Sequence, residues 1–406
     1  MRTCKGGVCA AKGFYAAGIH AGVKASSAPD KNDLMLIYSA EPCNAYGMYT
    51  KNVVKAASVL LTMEHLKGGT AQAVVANSGN ANACCAESAE NAMRMCAAAA
   101  EVLGVKAEDV AVGSTGVIGQ RINIEAIESA IPSAAAKLSR EGSDAAAHAI
   151  MTTDTVKKEE AVSLSLGGKT VHIGGISKGS GMIHPNMGTM LCFLTTDCAI
   201  SKAMVKAALQ EAVRVSFNRI SVDGDTSTND TCVLLANGMA DNEEITAQDE
   251  NYALFVEALT AVCTKLARRM ARDGEGAKHL ITCTVSGARS EQAAETVAKS
   301  VIASSLTKAA IFGCDANWGR VLCAMGYSGE TFDPDRVDVT FVSKAGKIAV
   351  CKAGRGLAFD EEKAKKILTE EEVTIDIVMG GGKGSCTCWG CDLTYDYVKI
   401  NGDYRT

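Results

Sequence analysis

The stretch "KGSGMIHPNMGTMLCFLTTD", Lys178 to Asp197, is a glycine-rich loop that runs into an apolar strand. At the join, Gly188 is followed by the hydroxyl residue Thr189, and the hydrophobic run follows. Two readings fit. A β-branched residue at the start of a strand is commonplace. A threonine behind a small residue also suits a chain that cuts itself. The hydroxyl attacks the preceding carbonyl, the amide becomes an ester, and hydrolysis frees Thr189 as a new N-terminus. A glycine at 188 lets the backbone reach the strained geometry this needs. The freed α-amine, with an ordinary pKa of about 7.7–8.0, can then serve as general base to its own Oγ.

Outward from this stretch the pattern alternates between strands and helices. Residues 33–40 and 71–79 read as strands ending in small or polar residues, 109–119 as a strand running into a glycine-rich turn, 170–181 as a strand and turn, and 190–197, 231–238 and 279–287 as strands. Helices are expected over 80–104 with a stop at Gly104, and over 123–139 with a break at Pro132. Further helices are expected over 201–218 with Ser201 as N-cap, over 250–276, and over 290–313. Arg268, Arg269 and Arg272 suit the C-terminal turns of the long helix. The end reads as strand-rich, including "CDLTYDYVKIN" from Cys391. The fold class is α/β, with mixed sheets layered with helices and no repeat. Strand spacing is too irregular for a simple doubly wound sheet. The best candidate for a boundary is 181–200.

Bulk properties narrow the function. With 47% hydrophobic and 21% charged residues the 406-residue chain can bury a large core. A net charge of −5 without a Lys/Arg block argues against nucleic acid. No run approaches ~20 apolar residues, so no membrane span is expected. The opening residues lack the apolar region of a secretory signal, which makes the cytoplasm the default location. Seventeen cysteines in such a chain read as reduced, small hydrophobes. The cluster "CTCWGC" (Cys386, Cys388, Cys391) could begin a zinc site, but no fourth ligand is evident and no metal is expected. The six histidines show no metal spacing.

Three further motifs have both a plain and a chemical reading. "GSTGVIG" (113–119) is a tight turn, or an oxyanion hole in which Thr115 offers a hydroxyl and Gly116 a backbone N–H; it does not fit a dinucleotide fingerprint. "VMGGGKGS" (378–385) lacks phosphate-loop spacing and reads as a turn. "RDGEGAKHL" (272–280) places Glu275 just past a helix end, as a solvated acid or as an exposed carboxylate that meets a cation or moves a proton.

These segments occur together in one order: "KGFYAAGIHAGVK", "NSGNANAC", "STGVIG", "MTTDT", "SKGSGMIHPNMGTML", "SFNRISVDGDTSTNDT", "RDGEGAKHLI", "GCDANWGR" and "WGCDLTYDYVKINGDYRT". From about residue 8 to Thr406 the chain resembles the ArgJ family of arginine biosynthesis, glutamate N-acetyltransferase or ornithine acetyltransferase. The resemblance implies a self-cleaving, N-terminal-threonine acyltransferase of the ArgJ and DmpA type. It implies an α chain of 1–188 and a β chain of 189–406, cut between Gly188 and Thr189, with Thr189 the nucleophile. It implies Thr115 and Gly116 as the oxyanion pair. Thr152 (with Thr153 as the alternative), Lys178, Thr189, Glu275, Asn401 and Thr406 would contact substrate. Glu275 would also serve in catalysis. Acetyl would pass from N-acetylornithine to glutamate by a ping-pong route, with acetyl-CoA as a further co-substrate in some members, no bound cofactor, and an assembly of two α and two β chains. A hydrolase that passes the acyl group to water, and a non-catalytic metabolite-binding protein, are the competing classes. Four residues depart from the family pattern, among them Cys386 and Cys388, which stand where small residues are expected. Gly188 stands where Ala is common, and His184 stands where Ala or Glu is frequent and reads as a surface-loop histidine.

Overall fold

The computed structural model describes residues 1–24, 30–184 and 190–403. Gly188, Thr189 and Thr406 lie outside the described residues. Among those described, nine strands form one sheet and seven form a second. From one edge, the first sheet runs Arg2–Thr3, Lys158–Leu166, Lys169–Lys178, Leu191–Thr196, Thr231–Ala236, Leu34–Tyr49, Thr70–Asn77 and Val110–Ser114; Phe14–Ile19 also pairs with Leu34–Tyr49. Both parallel and antiparallel pairs occur, as the mixed α/β reading requires.

Leu191–Thr196 lies in the middle of this sheet, antiparallel to Lys169–Lys178 and parallel to Thr231–Ala236. Its residues alternate between two cores. Cys192 and Leu194 pack with the helices Lys202–Arg214 and Glu250–Arg272, while Leu191 and Phe193 pack with Met35, Val74 and the helix Ser143–Ala149. A strand covered on both faces reads as an unbroken apolar run. The expected boundary at 181–200 is therefore not a division between folded units, because the chain on either side pairs within one sheet.

The second sheet runs Arg355–Gly356, Gly346–Lys352, Asp338–Ser343, Glu372–Val378, Leu280–Ala288, Gly384–Cys391 and Ile220–Ser221. The helix Glu291–Ala303 packs on it through Ala294, Val297, Ala298 and Val301, a 3–4 spacing on one face. Gly384–Cys391 is a wall between two cores. Cys386 and Cys388 face the core of the second sheet, and Trp389 and Cys391 face that of the first. Side chains alternate along a strand, so the three thiols of "CTCWGC" do not converge. All seventeen cysteines are unpaired.

Several element boundaries differ from the sequence reading. The helix expected over 80–104 covers Ser88–Leu103, with Gly104 at φ 67° closing it. Its expected first turns are held out of helix by asparagines: Asn80 Oδ1 accepts from Asn82 N–H at 2.8 Å, and Asn82 Nδ2 donates to Ser88 O at 2.9 Å. Pro132 does not break Ile124–Ala136; it is exposed and near the helix end, so its one missing bond faces water. Ser201 occupies the N-cap position of Lys202–Arg214 but makes no capping bond. The long helix stops at Arg272, and its three arginines pair with Glu372, Glu160 and Glu371. The helix expected over 290–313 is two helices, Glu291–Ala303 and Ser305–Phe312, because Ser304 leaves helical geometry and its Oγ caps Thr307 N–H. "CDLTYDYVKIN" is not a strand beyond Cys391. Ile220–Ser221 takes the sheet edge, Thr394 Oγ1 accepts from Tyr397 N–H, and Tyr395–Asp403 is helical.

Candidate active site

The strands Thr70–Asn77 and Val110–Ser114 run parallel and end side by side, at Asn77 opposite Ser114. The loops leaving them are stitched together: Thr115 N–H donates to Asn77 O at 3.0 Å and Ala81 N–H to Val117 O at 2.9 Å. Gly116 is held at φ 132°, and a Cβ there would collide with the Gly79 carbonyl carbon and Asn80 N. Only glycine fits. Among the described residues, the Gly116 N–H has no acceptor.

Lys178 ends Lys169–Lys178, a strand of the same sheet that pairs with neither of these two, and is buried. Its Nζ donates to Thr152 Oγ1 at 2.9 Å and to Thr115 Oγ1 at 3.4 Å, and stands 3.8 Å from Asp154 Oδ2. An ammonium cannot accept, so the Thr115 oxygen must be the acceptor and its own proton is free to point elsewhere. Burial lowers the basicity of Lys178, against the opposing charge of Asp154. Asp154 is buried too, which works against its charge. Lys178 and Lys158 outweigh this, and the carboxyl is held well below the ordinary carboxylate range.

Lys158 carries the network onward. Its Nζ lies 2.6 Å from both Asp154 Oδ1 and Asp273 Oδ2, with all three side chains buried. Asp273 caps the end of Glu250–Arg272, so the ion pairs fix that helix end against residues 154–158. Two residues on, Glu275 N–H donates to Ser180 O at 2.8 Å, and the Glu275 carboxylate accepts from Asn401 Nδ2 at 2.7 Å. Glu275 is 8% exposed, so the reading of an exposed acid is corrected: a Cβ on Gly181 would overlap its carboxylate. Close approach of the 178–182 backbone buries it.

The result is a cavity of about 140 Å³. Thr115, Gly116, Thr152, Lys178, Glu275 and Asn401 all line it. Thr153 lines it beside Thr152, with its hydroxyl on Ser180 Oγ at 2.7 Å. Met190, the residue joined to Thr189, is on the wall. His184 does not stand as a surface-loop histidine. It is half-buried with Nδ1 3.0 Å from Ser221 Oγ, and burial, followed by Lys299, lowers its pKa. Sequence reasoning missed Asp154, Lys158 and Asp273 under the cavity, and Asn229 and Asp230 on its wall. "MTTDT" and "SFNRISVDGDTSTNDT" contain Asp154, Asn229 and Asp230, but a buried pairing leaves no trace in spacing.

The ArgJ family model matches residues 15–406. An arginine biosynthesis bifunctional protein ArgJ of Symbiobacterium thermophilum is 52% identical over all of both chains. One from Caldanaerobacter subterraneus subsp. tengcongensis is 51% identical over 97% of each. Among solved structures, an ArgJ bifunctional protein from Bacillus halodurans matches with 44% identity and TM-score 0.49, over 52% of this chain and 97% of that one. An ornithine acetyltransferase from Mycobacterium tuberculosis, complexed with ornithine, matches with 36% identity and TM-score 0.42, over 47% of this chain and 99% of that one. The chain belongs to the ArgJ family and is a bifunctional acetyltransferase of arginine biosynthesis. Among the described residues, no helix is long and apolar enough to cross a membrane.

Proposed function

We propose that the chain cuts itself between Gly188 and Thr189 and then moves acetyl from N-acetylornithine to glutamate through an acetyl-Thr189 ester. The cut leaves chains of 1–188 and 189–406, which assemble as two of each. Thr189 Oγ attacks the acetyl carbonyl, and the Thr189 α-amine takes its proton. The Thr115 hydroxyl and the Gly116 N–H meet the developing oxyanion, each donor contributing about 2.7–4 kcal/mol. Ornithine leaves with the proton, glutamate enters, and its amine takes the acetyl group. Lys178 and Thr152 meet the substrate carboxylate. Glu275, held by Asn401, meets the distal ammonium or the proton at the leaving amine, and Thr406 adds a contact. Acetyl-CoA serves as a second acetyl donor, which fits the bifunctional naming of the relatives.

One observation carries the reading. Six residues from five separate segments, including an N–H without an acceptor and a hydroxyl with a free proton, line one cavity with the neighbour of Thr189. The test is intact mass under denaturing conditions for wild type and Thr189→Ala. Wild type should give two fragments and transfer acetyl to glutamate, and the variant should stay whole and inert. A wild type that stays whole after long incubation removes the nucleophile from the scheme, and acetate without acetylglutamate would make the enzyme a hydrolase.

A further inference from the structure

Asp230 is a buried acid that the scheme above leaves unused. It precedes the strand Thr231–Ala236, is 1% exposed, and lines the cavity. Among the described residues, neither of its carboxylate oxygens has a hydrogen-bond partner. Thr231 N–H donates to Met190 O at 2.8 Å at the start of the paired strands, which sets Asp230 alongside Met190, and the Met190 N–H and the Thr50 hydroxyl both favour its charged form. Thr50 instead donates to Ser227 O at 2.7 Å. The charged group facing Asp230 is Lys178, whose donors go to Thr152 and Thr115 and whose nearest carboxylate is Asp154. Burial therefore pushes the Asp230 carboxyl well above its usual range, against the weaker pull of Met190, Thr50 and Lys178. An orphaned buried carboxyl is costly, and a native chain that keeps one has a use for it.

Its position indicates the use. The Met190 N–H belongs to the peptide bond that joins Met190 to Thr189, and the Thr189 nitrogen is only three covalent bonds away. We propose that Asp230 is the counter-ion of the Thr189 α-amino group in the processed enzyme, a positioning residue that acts through that amine. This rests on the self-cutting reading above.

In the uncut chain that nitrogen is an amide, which accepts no proton, and Asp230 stays a neutral acid. The cut adds one water across the Gly188–Thr189 bond: Gly188 gains a carboxyl group and Thr189 an amine. The new amine is an acceptor for the Asp230 proton. The Asp230 O–H bond breaks, an N–H bond forms, and an ammonium–carboxylate pair replaces two neutral groups. When the amine must act as base, the proton returns to Asp230 and leaves the lone pair free for the Thr189 hydroxyl proton. A buried Asp does comparable work behind the base of a Ser-His-Asp triad, by orienting the base and stabilising its protonated form.

The test compares wild type, Thr189→Ala and Asp230→Asn. Asp230→Asn keeps the size of the neutral acid but cannot ionise. It should be cut like wild type, because Asp230 is neutral when the cut occurs. Its kcat for acetyl transfer should fall by about 10²-fold, with KM within twofold and the acid limb of the pH profile displaced. Infrared spectra add a measurement that needs no substitution at 230. Uncut Thr189→Ala should show a buried carboxylic-acid C=O band that the processed wild type lacks. A processed Asp230→Asn with wild-type kcat and pH profile overturns the role while leaving the self-cutting reading intact. So does an acid band that is unchanged by processing. An uncut Asp230→Asn also overturns it, by placing Asp230 in the cut itself. A wild type that never cuts takes down both readings.

Discussion

Around the cavity, Asp154, Lys158, Lys178, Asp230 and Glu275 are each less than a tenth exposed, and four of the five are held in hydrogen bonds or ion pairs. The core of the seven-stranded sheet holds none of them; Val, Ile, Ala, Met, Phe, Leu and Cys fill it. Burying charge costs several kcal/mol per ion before pairing offsets it, whereas apolar burial stabilises outright at about 25 cal/mol per Å². The cavity end is therefore where the molecule gives up stability to hold groups ready for chemistry. The core of the second sheet contributes apolar stability and supplies none of the residues that line the cavity.

That contrast can be broken most severely at Lys158. Lys158→Met leaves Asp154 and Asp273 buried without their partner and should cost about 3–5 kcal/mol in chemical denaturation, with acetyl transfer lost as the Glu275 helix end loosens. A stable, active variant would mean that the ion pairs do not hold the site. Phe341→Ala, in the second core, should cost a similar 3–5 kcal/mol while the folded fraction keeps its kcat. A drop in kcat at constant folded fraction would show that the two regions are coupled. Gly116→Ala works the other way. The added Cβ forces the 79–80 or 115–117 backbone aside, so kcat should fall about 10²–10³-fold with a smaller change in stability. Wild-type turnover there would remove Gly116 from the oxyanion site. Ser304→Ala, which uncaps Ser305–Phe312, a helix that does not line the cavity, should cost about 1 kcal/mol and leave kinetics alone.

The smallest effect is a pH dependence. Asp154 is held below its unfolded value of about 3.9, so its contribution to stability is complete above that pH. Below it the unfolded chain takes up the proton first, and stability falls as pH falls. Asp154→Asn should flatten that acid slope in denaturation curves taken between pH 5 and 3. An unchanged slope would assign acid lability to other carboxylates.

The strands and helices themselves were largely legible, because their apolar periods and caps are local. Leu191–Thr196, Lys169–Lys178 and Val110–Ser114 stand where their patterns place them. Failures came where a side chain competes with the backbone: the asparagines of 80–82, Ser304, and Thr394 before Tyr395–Asp403. Such bonds depend on which partner is near, and spacing does not report that.

Sequence alone determined the order of elements, the family, and six residues that the fold brings to one cavity. Tertiary structure decided what those residues are to one another. It took Glu275 out of water, gave the Thr115 oxygen a donor in Lys178, put the Cys391 thiol on the far side of a wall from Cys386 and Cys388, and left Asp230 with no partner beside Met190. Local rules set φ, ψ and the face a side chain takes. Charge, solvation and proton position depend on distances between segments a hundred residues apart, and only packing sets those.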